Sequence, residues 1–251
     1  PGPFFGKEHL EEVLKIVAVV LATTVGFTIA GVAGFGGGVV ALPVLVWVFG
    51  VREAVPILTL SQILSTTSRV WLHRDGIDWK VVRNFSLGGL PLSLIGAFFF
   101  VSIDTSVLVR ILGVMMLFFV VYTQMPIGRN FNMKLWGFVP LGAGTGFGSA
   151  FLGIPGPFAA VFYLAYGLAA SSYIGTSALG MGIIQIPKLI IFGTSDLLTL
   201  RVLALGIGLG AIAAGSALLG RIILRRVPEK VFPRIITTML LISGVVLLVR
   251  G

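Results

Sequence analysis

The chain has 251 residues, of which 57% are hydrophobic and only 11% charged, with 34 glycines; soluble domains run about 45–50% apolar and about 25% charged, so a soluble fold is excluded and the chain reads as an integral membrane protein embedded over almost its whole length. Eighteen Lys and Arg against nine Asp and Glu leave a net charge of +9, but no soluble segment is long enough to gather it into a nucleic-acid-binding patch, which leaves an orientation signal. With no cysteine and two histidines, His9 and His73, disulfides, thiolate metal sites, iron–sulfur clusters and poly-His metal sites are excluded, and no cofactor is expected.

A membrane-spanning helix takes about 20 mostly apolar residues. In chain order about ten apolar segments are predicted: 13–33, 38–50, 54–72, 84–102, 106–123, 135–152, 157–168, 171–193, 202–224 and 232–250. The first has no small-residue cleavage site behind it and reads as a retained helix. Segments 38–50 and 157–168 are too short to span, covering about 20 Å or less at 1.5 Å per residue. Each follows a break that does not easily continue a helix, Gly34-Phe35-Gly36-Gly37-Gly38 and Gly153-Ile154-Pro155-Gly156-Pro157. The fold class is therefore all-α, with two short broken or re-entrant helices.

The order of features repeats. Gly34 to Gly50 matches Gly153 to Gly167 with a two-residue gap, and a polar-flecked helix follows each (Ile57 to Arg69, then Ile174 to Lys188). An Asp-bearing turn (Asp78, Asp196), a glycine-rich helix and an Arg-headed apolar helix complete each half. An odd number of segments per half inverts the second half relative to the first. Loop charge agrees. The turn after the third segment carries Arg69, Arg74, Lys80 and Arg83, whereas its counterpart has Lys188 and Arg201. The turn after the fourth holds Asp104 and no base before Arg110, whereas its counterpart holds Arg221, Arg225, Arg226, Lys230 and Arg234. By the positive-inside rule the basic turns and the linker with Arg129 and Lys134 face the cytoplasm, and both termini lie outside. The expected organisation is a polar lead (1–12), a first transmembrane repeat (13–123), a cytoplasmic linker (124–134) and a second repeat (135–251).

A glycine loop feeding a short helix leaves backbone N–H groups without intrahelical partners, and the helix start carries partial positive charge, a natural anion seat. Gly36, Gly37, Gly38, Pro155 and Gly156 are thus expected to frame an anion site near the bilayer midplane, with each proline removing a donor. Ser61, Gln62, Ser65 and Ser68 on one polar helix, and Ser177 and Gln185 on the other, offer donors to an oxyanion; interhelical hydrogen bonding is their alternative role. Arg69 and Lys188 are read either as positive mouths of an anion path, one on each side, or as side chains snorkelling to headgroups. Asp75, Asp78, Asp104, Asp196 and Glu229 lie in turns, with Glu53 just before the third segment; coupling through a membrane-buried acid is not expected, while a coupling proton or sodium ion stays open. The chain lacks H-E-x-x-H, G-x-S-G and paired intramembrane aspartates, so an enzyme is not expected. A carrier and a passive anion channel both remain, the repeat favouring the carrier.

At the stretch GFGGGVVALP (Gly34 to Pro43), followed by a short helix and repeated once, the sequence resembles the TauE/SafE family of anion exporters. The resemblance extends from about Val13 to Arg250, with Pro155 and Pro157 standing where the second motif often has glycine. It implies a multi-pass protein of the bacterial inner membrane that moves sulfite or a small organosulfonate, usually outward; another small anion and a homo-oligomer stay open.

Overall fold

The computed structural model describes residues 4–34, 37–124, 132–152 and 156–223, together with Leu241 and Val245. Among these residues the chain is helical, without strands. The α-helices are α1 (Phe4–Ala33), α2 (Gly37–Phe49), α3 (Val51–Leu72), α4 (Trp79–Ser102), α5 (Thr105–Gln124), α6 (Phe138–Leu152), α7 (Gly156–Ala165), α8 (Ala170–Thr194) and α9 (Leu200–Ile223), with short 3₁₀ turns at Arg74–Gly76 and Leu135–Gly137. The segment expected at 232–250 and most of the linker at 124–134 lie outside the described residues.

Local sequence explains most boundaries. Asp78 caps α4, its carboxylate accepting from the N–H groups of Lys80 and Val81 at 2.9 and 3.1 Å, so the helix starts five residues before the apolar run does. Gly34, Gly50 and Gly167 close α1, α2 and α7 at φ of 76°, 75° and 90°, a region where a side chain is strained. From Phe4 on, the polar lead is helical and part of α1. Glu53 lies inside the first turn of α3 rather than before it, held 3.7 Å from Arg201 at the start of α9.

Among the described residues four helices are long and apolar enough to cross a membrane: His9–Gly31, Trp79–Ser102, Ser171–Thr194 and Leu200–Gly220. Their outward faces carry Leu21, Val25, Phe98, Phe99, Ile190 and Ile207, all exposed, as lipid-facing surface does when no water must be avoided. All four tryptophans, Trp47, Trp71, Trp79 and Trp136, are exposed and sit at or near helix ends, the level at which indoles meet the headgroups. α3 has 22 residues but is too polar to count as such a span; it is sheltered by protein.

Packing places α3 and α8 side by side, with α9 and α2 against α3 and α1 against α9 and α2, and with α4 and α7 against α8 and α6 against α4. Paired residues give the directions. His73, Thr66 and Gln62 of the α3 end and body meet Gly175, Gly182 and Gln185, so α3 and α8 run antiparallel. Glu53, Leu60 and Leu64 meet Arg201, Gly206 and Gly210, so α9 runs parallel to α3. Phe85 meets Gly180, and Ser93 donates to the Ile184 carbonyl, so α4 runs parallel to α8. Glycines let backbones touch in the outer pairs: a Cβ on Gly31 or Gly220 would strike the α9 or α1 backbone, and one on Gly88 or Gly142 that of α6 or α4.

Candidate functional site

The α3–α8 seam gathers most of the polar candidates. At its centre the Gln185 amide donates to the Gln62 carbonyl oxygen. Ser65 lies one turn further along α3 and Arg69 one turn beyond that; Lys188 lies one turn past Gln185 in the opposite direction. Because the helices are antiparallel, the two cations stand on opposite sides of the glutamine pair. At 1.5 Å per residue Arg69 is about 10 Å along the axis from Gln62, and Lys188 about 5 Å from Gln185.

Neither cation reaches the surface. Arg69 is 6% exposed and Lys188 fully buried, and Lys188 lies well inside α8. The expected positive mouths and snorkelling side chains both give way to cations held in the protein interior. Each is held inward by a carbonyl at or near a helix end. Arg69 Nη1 donates to the Gly34 carbonyl at 2.7 Å, just past the end of α1. Lys188 Nζ donates to the Ser149 carbonyl at 3.2 Å, in the last turn of α6. Helix C-terminal carbonyls lack partners and carry partial negative charge, so a cation satisfies both needs. Among the described residues the ion pairs are Arg74–Asp75 and Arg201–Glu53; neither seam cation meets a carboxylate there.

The remaining candidates divide. Ser65 is fully buried, and its hydroxyl has no partner among the described residues; the same holds for Gln185 Oε1. Ser61 instead donates to Ile57 O and, across to α9, to Gly206 O at 2.9 and 3.2 Å, so it serves helix packing. Ser68 is only half-buried, and its hydroxyl turns back to donate to Ser65 O. Ser177 is buried but satisfied by Ile174 O. Gly37 and Gly38 open α2 and are buried, with the Phe27 ring so near Gly37 that an added Cβ would come within 2.7 Å of it. Gly156 opens α7. Gly36 and Pro155 lie outside the described residues.

Sequence reasoning missed several neighbours. Thr145 and Ser149 sit four apart on α6, both buried, with the Thr145 hydroxyl lacking a partner among the described residues; that i, i+4 spacing inside a glycine-rich apolar helix was the available signal. Tyr173, near the start of α8, lays its ring against Gly34. It packs 5.9 Å from Tyr163 of α7, whose buried hydroxyl is likewise without a partner among the described residues. No pattern in the sequence marks these tyrosines. Chemically, the seam offers two buried basic side chains, buried hydroxyls and amides, and, among the described residues, no compensating acid, which suits a small oxyanion. Among the described residues no group of three His, Asp or Glu side chains is placed to hold a metal.

A family model described as "Sulfite exporter TauE/SafE" matches residues 18–247. No curated protein and no solved structure matches the chain.

Proposed function

The chain belongs to the sulfite exporter TauE/SafE family, a family of integral membrane transporters of sulfur anions rather than enzymes, and on that premise we propose that it is a secondary transporter that exports sulfite or a small organosulfonate by alternating access around the α3–α8 seam. The observation that carries the proposal is the pair of buried cations, Arg69 and Lys188, flanking the Gln62–Gln185 bridge with no carboxylate beside them among the described residues. A charge buried without a counter-ion is costly in a low-dielectric interior, and a travelling anion supplies the missing partner. The helix breaks expected to frame the path adjoin these cations, through Gly34 at the first and Ser149 before the second.

Alternating access rests on two inverted repeats, and three features support that arrangement. The matching helices α3 and α8 run antiparallel, where repeats of equal orientation would make them parallel. The partners exchange in the same way: α1 with α9 answers α6 with α4, and α3 with α9 answers α8 with α4. Gly50 and Gly167, aligned by the sequence repeat, share a left-handed backbone. The orientation reading, with the basic turn at Arg74, Lys80 and Arg83 in the cytoplasm of a bacterial cell and the termini outside, rests on the charge bias of the loops.

Sulfite counterflow in proteoliposomes tests the carrier against the channel. A carrier preloaded with unlabelled sulfite accumulates labelled sulfite transiently above equilibrium; uptake that follows the gradient with no overshoot supports a channel and overturns alternating access.

A further inference from the structure

The two cations differ in kind and stand apart. Arg69 presents a planar guanidinium whose fork can hold two oxygens of one anion, whereas Lys188 presents a point charge. Among the described residues Arg69 Nη1 donates to Gly34 O at 2.7 Å and its Nε, more weakly, to Ser65 O at 3.5 Å, while Lys188 Nζ donates to Ser149 O at 3.2 Å, which leaves N–H donors over on both. Each also has a buried hydroxyl near it in the helical register that has no partner among the described residues: Ser65, one turn before Arg69 on α3, and Thr145, one turn before Ser149 on α6. The Gln62–Gln185 bridge lies between the two groups. With Arg69 about 10 Å from the bridge on one side and Lys188 about 5 Å on the other, the axial separation is about 15 Å. That separation is between backbone positions; each charged end is tied to its own helix-end carbonyl, Arg69 at Gly34 and Lys188 at Ser149.

We propose that the seam contains two non-equivalent anion stations rather than one midplane site: a tighter one at Arg69 with Ser65, and a weaker one at Lys188 with Thr145, separated by the Gln62–Gln185 bridge. This rests on the anion-transporter reading above and refines it. The ligand class is a small oxyanion with at least two free oxygens, because the guanidinium fork rewards a paired acceptor that an ammonium does not. The bridge blocks direct passage between the stations, so transfer requires the glutamines to part. The tighter station lies towards the basic α3–α4 turn that carries Arg74, Lys80 and Arg83, so an anion loads at the higher-affinity end and leaves from the lower-affinity one.

Equilibrium dialysis of the purified full-length chain against radiolabelled sulfite tests this. Two anions per chain are expected, with separable affinities. Arg69→Gln should remove the tighter and leave the weaker, and Lys188→Gln should do the reverse. The double variant should bind none. Arg69→Lys, which keeps the charge but loses the fork, should keep both anions and weaken the tighter about tenfold, the loss of one charge-assisted hydrogen bond. Lys188→Met provides a second neutral variant should Lys188→Gln fold poorly. One anion per chain in the wild type, abolished by either substitution, would overturn the two-station arrangement and leave the transporter reading intact. No binding by the wild type would overturn both.

Discussion

At the scale of single residues, Lys188 decides the most. A fully buried lysine with one carbonyl partner among the described residues does little for stability that an apolar side chain of like size could not do, because desolvating the charge offsets its attraction to the carbonyl. Lys188→Met should therefore fold with equal or greater stability, by up to about 1–3 kcal/mol, while sulfite transport falls at least tenfold. Thermal unfolding and flux measured on the same preparation check this; a variant that unfolds but transports normally per folded molecule would make Lys188 a structural cap. Gly37 is a poorer probe. Its close contact with Phe27 means that any added side chain disturbs α1–α2 packing, so loss of transport in Gly37→Val would not separate binding from folding. The residue types at the seam were legible in the sequence, since Gln62, Ser65, Arg69, Gln185 and Lys188 are conspicuous in apolar helices. Their depth was not: a cation near a helix end looks the same whether it reaches for headgroups or for the last carbonyls of a neighbouring helix.

At the scale of elements, apolar length and Gly/Pro punctuation located the nine described helices to within a few residues at most ends. The exceptions have local causes. The N-terminal lead is helical because its polar residues, among them Lys7, Glu8, Glu11 and Glu12, are helix formers, and α4 starts early because Asp78 caps it. Which helices touch could not be read in this way, for Gln62 and Gln185 are 123 residues apart and nothing local joins them. The α3–α8 seam can be tested directly because the chain has no cysteine of its own. An ideal Cβ on Gly182 lies 3.7 Å from Thr66 Cβ, within the range of about 3.5–4.5 Å that a disulfide spans. Thr66→Cys with Gly182→Cys should cross-link on oxidation, stop sulfite flux at least tenfold, and recover on reduction. Undiminished flux in the cross-linked protein would mean that α3 and α8 do not separate during transport.

At the scale of the whole molecule, the sequence's net charge of +9 divides into two unlike parts. Most of it lies between the apolar segments, where the charge bias of the loops is the basis of the proposed orientation. A small remainder, Arg69 and Lys188, is drawn inside the bundle by the carbonyls of Gly34 and Ser149. One cation from each of the two seam helices lies to either side of the glutamine bridge, as the proposed inverted repeat expects. Anion binding by the folded protein is the claim on which this whole account depends, and a ligand that binds only the folded state raises its apparent stability, by about 2.7 kcal/mol at a hundredfold excess over its dissociation constant. Thermal unfolding of the purified protein across a panel of sulfite, sulfonates, sulfate, chloride and small carboxylates measures it most directly. Stabilisation by sulfite or a sulfonate is expected, reduced in Arg69→Gln and in Lys188→Gln and absent when both are replaced; no stabilisation by any sulfur oxyanion, or equal stabilisation in the double variant, would contradict anion binding at these cations.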